Sequence, residues 1–166
     1  SLAGSFITEF LPWHGPFVSG SAIASVLVVS SVAQLLLRRL SLARTYATAT
    51  VLIFAANVLL VLTLTHHMVW LFVLSVLCTG MAHGMALMAG FGKVQEITTA
   101  DNRAAVVATF LIAGYVGAIV PIIALCWLAD HLFINHAVVI FCSIFALWAV
   151  GLLLRFVQLK RQAHAL

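Results

Sequence analysis

Five long apolar runs, at 15–37, 46–65, 68–91, 104–128 and 137–156, carry no lysine, arginine, aspartate or glutamate in their central parts. Each holds 20 to 25 residues, and as an α-helix of that length spans about 30 to 38 Å at about 1.5 Å per residue. That matches a hydrocarbon core of about 30 Å with some tilt. Hydrophobic residues make up 64% of the chain and charged residues 7%, with a mean hydropathy of +1.21. A soluble domain of 166 residues cannot hide so much apolar surface from water, so lipid must be the solvent. The composition predicts an all-α membrane protein with five complete transmembrane helices.

The eight basic residues fall in three places: Arg38, Arg39 and Arg44; Lys93 and Arg103; and Arg155, Lys160 and Arg161. Threading the five spans in alternating directions brings all of them to one side, the pattern left by insertion with basic loops kept in the cytoplasm. The N-terminus is then expected outside and the C-terminus inside, with 157–166 as a cytoplasmic tail. Glu9 and Asp130 lie outside, Glu96 and Asp101 inside. The net charge of +4 marks that inner side and does not form the basic face that nucleic acid requires. Residues 1–11 are apolar but too short to cross. They read as the end of a truncated sixth helix, so the chain is expected to be the C-terminal part of something larger. The basic n-region of a signal peptide is absent.

Polar and small residues distinguish the spans. At 100° per residue, Thr79, His83, Ala86 and Gly90 share one face of 68–91, and Met81, Met85 and Met88 the opposite one. The methionine stripe is a soft binding surface or copper path on one reading and gap-filling packing on the other, the latter preferred. Gly80 and Gly84 form a GxxxG pair, expected to permit close helix packing. His83 is the titratable side chain near mid-membrane. Either it contacts a substrate or accepts a proton, or it is a hydrogen-bonded spacer between helices.

In 104–128, Gly114, Gly117 and Pro121 align. Pro121 cannot donate to the carbonyl of Gly117, which predicts a bend or a close helix approach. Tyr115 is expected to bond a neighbouring helix. In 15–37, Ser19, Ile23, Val26, Ser30 and Gln34 form one stripe suited to interhelical hydrogen bonds, as does Asn57 in the second span. The span 137–156 is bulky and apolar all round, and is expected at the lipid-facing periphery.

His14, His66, His67, His131 and His136 fall at outer ends without the regular spacing of zinc ligands, so no metal site is expected. Cys78, Cys126 and Cys142 lie in apolar runs and imply no disulfide framework. Motifs for nucleotide, dinucleotide or metal-dependent chemistry are absent. Neither an enzyme nor a cofactor is expected.

The stretch Gly92-Lys93-Val94-Gln95-Glu96-Ile97-Thr98-Thr99-Ala100-Asp101-Asn102-Arg103-Ala104-Ala105-Val106, followed by Ala113-Gly114-Tyr115-Val116-Gly117 and Pro121, resembles the C-terminal half of a major facilitator superfamily transporter. The run Leu37-Arg38-Arg39-Leu40-Ser41-Leu42-Ala43-Arg44 resembles that family's degenerate second basic loop motif, without its Gly and Asp. The resemblance covers the whole chain and implies a six-helix bundle in which 1–11 ends the seventh helix and the five spans are the eighth to twelfth. It further implies that the third span lines a central cavity and the fifth faces lipid.

The function this implies is secondary active transport of a small solute across a bacterial-type inner membrane by alternating access, with this chain forming most of one rocking half. Thr79, His83 and Met88 are the residues expected nearest the cavity. Gly114, Gly117 and Pro121 would permit bending, and Arg38, Arg39, Arg44 and Arg103 would serve at the cytoplasmic loops. The expected partners are the solute, the bilayer and an N-terminal half of the same transporter, with protons as the candidate coupling ion. The competing expectation is a non-transporting membrane subunit or scaffold that holds a partner with its helix faces.

Overall fold

A computed structural model describes the backbone of residues 16–164 and the side chains of 20–158. The helix end expected at 1–11 lies outside these residues. Among them the fold consists of five α-helices: α1 (Pro16–Leu37), α2 (Leu42–His66), α3 (Val69–Ile97), α4 (Arg103–His131) and α5 (Ile134–His164). Every one is long and apolar enough to cross a membrane. The chain is therefore an integral, all-helical bundle, in which each backbone polar group of a span is satisfied within its own helix, as lipid demands.

The helices outrun the apolar segments that announce them. α3 continues from Phe91 through Gly92 and Lys93 to Ile97, and α5 continues past Phe156 to His164. The i→i−4 ladder does not end where hydrophobicity ends, because polar and basic residues are good helix formers once the helix is nucleated. The expected tail at 157–166 is thus helical through His164.

The connections are short, and α2 with α3, α3 with α4 and α4 with α5 pack as sequential antiparallel neighbours, whereas α1 packs on α3 rather than on α2. Between α2 and α3 the chain turns on two residues. His67 adopts φ 50° and ψ 33°, and its N–H donates to the carbonyl of Thr63 at 2.9 Å. This left-handed C-terminal cap stops α2 abruptly. Between α3 and α4, the amide of Thr99 donates to Asn102 Oδ1 at 2.8 Å, an Asx-type closure that launches α4 at Arg103.

One end of the bundle is defined by contacts. Gly92 near the end of α3 lies against Leu42 at the start of α2, Phe91 stacks edge-on against Phe110 of α4 at 5.1 Å, and Tyr46 of α2 faces Phe156 of α5 at 6.1 Å. This end carries Arg38, Arg39, Arg44, Lys93, Arg103 and Arg155. At the opposite end Leu64 of α2 packs with Val138 and Cys142 of α5. Exposed Trp70 and Trp127 occur toward this end of α3 and α4, where amphipathic rings meet the membrane interface.

The core is centred on α3, which packs extensively on α2 and on α1; α2 also packs on α5. α5 buries Ala137, Val138, Cys142 and Ala149. Small residues let its backbone come close to α2, while Leu147 and Trp148 stay exposed. The helix without any buried residue is α4. α5 keeps much of its apolar surface exposed, while apolarity alone does not report that the barest helix is α4.

Candidate functional site

The closest helix approach forms a seam between α1 and α3. A Cβ placed on Gly80 would sit 2.8 Å from Val29 Cβ and 2.9 Å from the carbonyl oxygen of Val26. One placed on Gly84 would collide with the carbonyl oxygen of Ser30. Only hydrogen at these two Cα atoms allows the backbones to meet, the close approach that small-xxx-small spacing supports.

Polar side chains follow the same seam. Ser30, 3% exposed, places its Oγ 3.0 Å from His83 Nδ1, and Gln34 Nε2 donates to Ser30 Oγ at 3.4 Å. His83 is the central residue of α3, about 21 Å from either end at about 1.5 Å per residue. Ser30 accepts from Gln34 and keeps its own proton, so the contact is satisfied either by Ser30 donating to Nδ1 with the ring N–H on Nε2, or by Nδ1–H donating to Ser30. The ring itself is exposed, on the same face of α3 as exposed Ala86.

A second feature lies nearer the end opposite the arginines. A cavity of about 390 Å³ opens among the helices, bordered by Asn57 and Leu60 of α2, Phe72, Ser75 and Thr79 of α3, and Cys142 of α5. Thr79 sits one helical turn from His83, but His83 does not border the cavity. Ser75 Oγ donates across the interface to the carbonyl of Ala56 at 3.0 Å. Asn57, anticipated as an interhelical bridge, instead donates to Ile53 of its own helix at 2.7 Å. The cross-helix bond comes from Ser75, for which the sequence offers only the cue that it lies one turn before Thr79.

Met88 is half-buried and does not border the cavity. Met85, from the same stripe, is fully buried, so the methionine face packs into the bundle. On α4, Cβ atoms at Gly114 and Gly117 would meet nothing within 4 Å, the helix runs unbroken through Pro121, and Tyr115 is exposed. At the basic end, Arg38, Arg39, Arg44 and Arg103 are all exposed. Glu96 pairs with Lys93 of its own helix at 2.8 Å. Among the described residues, no three His, Cys, Asp or Glu side chains converge as metal ligands.

The fold and the seam together define a class: an integral helical bundle, five helices among the described residues, with a histidine at mid-depth hydrogen-bonded across a close glycine-mediated helix contact. A scan of protein-family models, a search of curated proteins and a search of solved structures each found no match to the chain.

Proposed function

We propose that the chain forms most of one half of a secondary transporter of the major facilitator type, carrying a small solute through an inner membrane by alternating access. The observation that carries this reading is the His83–Ser30 hydrogen bond at the centre of α3. An ionisable side chain at mid-membrane is costly to keep, which is why such residues usually mark a path for solute or protons. With its ring N–H on Nε2, a neutral His83 accepts from Ser30. An imidazolium would have to donate at Nδ1, so Ser30 would have to turn its own proton elsewhere while accepting from both His83 and Gln34. Protonation therefore reverses a hydrogen bond at the α1–α3 seam, which is how a proton gradient could bias two arrangements of the bundle.

The gathering of the described basic residues at one end supports a cytoplasmic location for that end, and hence an outward-facing start of α1. Arg38, Arg39, Arg44 and Arg103 there are suited to lipid phosphate. Exposed α4, with Gly114, Gly117 and Pro121, supplies a surface for the second half and a point of flexure.

The test is uptake by the complete protein in proteoliposomes, against a panel of solutes, with and without a pH gradient. Solute accumulation that follows the gradient, and a pH profile displaced in His83→Ala, are expected. Gradient-independent behaviour, with His83→Ala unchanged, would reduce His83 to a spacer.

The absence of buried residues on α4 equally suits a second reading, a non-transporting subunit that presents this helix to another membrane protein. In that case no solute moves, and the chain co-purifies with a partner through α4.

A further inference from the structure

The cavity beside Thr79 has a chemistry different from that of the seam. Its aromatic wall is Phe72, Phe141 and Phe145. Its polar atoms belong to Asn57, Ser75 and Thr79, and each of those groups already donates to a helix carbonyl: to Ile53 at 2.7 Å, Ala56 at 3.0 Å and Ser75 at 2.8 Å. What these groups still offer an occupant is mainly acceptor lone pairs. Among the described residues, no lysine, arginine, histidine, aspartate or glutamate borders the space. An ion entering it would lose its hydration without a countercharge. A solute rich in hydroxyls would leave most of them unpaired. The volume of about 390 Å³ falls within the range of small-ligand sites, which are mostly apolar with a few placed polar groups.

We infer that this cavity is a binding site for an uncharged, predominantly apolar ligand bearing at most one or two hydrogen-bond donors. The ligand is a lipophilic small molecule or a single acyl chain reaching in from the bilayer. All five described helices contribute to the wall, α1 through Ala22 and α4 through Leu125, so an occupant would tie the loosely held α4 to the α2–α3–α5 core. The inference does not depend on transport. A carrier that handles a polar solute at the seam, or a subunit that carries nothing, would hold such a ligand here all the same.

The experiment is photolabelling of the full chain in phospholipid nanodiscs with two probes, a diazirine-bearing aliphatic alcohol and a phosphatidylcholine with a diazirine on one acyl chain. Adducts are mapped by mass spectrometry. Saturable labelling of Phe141, Cys142 and Phe145 is expected from at least one probe, and which probe labels identifies the source as free ligand or lipid. Exposed Ile122 and Ile123 of α4 should be labelled in proportion to probe, without saturation. Leu125→Trp fills the space from the helix with no buried residue, so it should fold, and it should lower the saturable labelling by about tenfold or more if occupancy of this space is what is measured. Leu60→Trp fills it from α2, with the melting temperature as a check on folding. The inference is overturned if cavity residues are labelled without saturation by both probes, or if Leu125→Trp leaves saturable labelling unchanged. Failure here leaves the proteoliposome result untouched, and the converse holds as well.

Discussion

α3 and α4 are equally long, and each carries a pair of closely spaced glycines, yet the two pairs lie in opposite surroundings. Gly80 and Gly84 sit where α1 presses its backbone against α3, with Val26, Val29 and Ser30 occupying the space a side chain would need. Gly114 and Gly117 face nothing within 4 Å, on a helix that buries no residue. In lipid, burying apolar surface against another helix gains little over leaving it against acyl chains. What separates a packed helix from a bare one is therefore shape and hydrogen bonding, and both are concentrated on α3. Its glycine pair makes room, and Ser30, Gln34 and His83 then span the room that was made.

The most severe way to break this contrast is Gly84→Ala. The new methyl meets the carbonyl of Ser30, part of the rigid helix backbone, so α1 has to move. A loss of about 1–3 kcal/mol is expected from such overpacking, read as reduced thermal stability in detergent or as weakened association of α1 with the rest of the bundle. Gly80→Ala should cost less, because Val29 Cβ at 2.8 Å and the Val26 carbonyl oxygen at 2.9 Å leave its new methyl more room than the Ser30 carbonyl leaves at Gly84. A Gly84→Ala protein as stable as its parent would mean that α1 and α3 do not meet at this point.

A smaller effect is expected from the polar part of the seam. Ser30→Ala and His83→Ala each remove one partner of the same hydrogen bond, so the double variant should lose less than the sum of the two. Interhelical bonds in membranes give couplings of about 0.5–2 kcal/mol. A double-mutant cycle in unfolding free energy measures this directly. Zero coupling would make the seam a matter of glycine packing alone and remove the structural basis for a proton-sensitive contact.

How much of this was legible beforehand depends on the kind of information. The number of helices and their centres follow from uncharged apolar runs, because lipid leaves the backbone no alternative. The helix ends were not legible, since Lys93 to Ile97 and Val157 to His164 continue helices through residues that hydropathy counts as loop. The faces were readable one helix at a time: Ser30 with Gln34 on α1, and Thr79 with His83 on α3. Their pairing was not, because nothing in a single sequence says which stripe meets which. Asn57 shows the same limit, since its polarity announced a hydrogen bond but not that Ile53 in its own helix would accept it. That α4 is barer than α5 has a related cause. α5 packs on α2 and buries Ala137, Cys142 and Ala149, and small residues between bulky ones register only weakly in hydropathy.

The mildest expected effect sharpens the comparison most, because it uses the same substitution on the other helix. Gly114→Ala and Gly117→Ala introduce a methyl into open space, so the chain by itself loses no contact. Replacing glycine in a helix interior restricts the unfolded backbone and should stabilise by up to about 0.5–1 kcal/mol, the opposite sign to Gly84→Ala. If the open face of α4 later receives a second half, or if α4 must flex at Pro121 during transport, the same variants should keep or raise stability while slowing uptake in proteoliposomes. A variant that is more stable and transports normally would mark Gly114 and Gly117 as ordinary lipid-facing positions. A variant that is less stable would show that α4 is covered in the folded protein, and that the bareness contrasted with the α1–α3 seam is not a property of the assembled molecule.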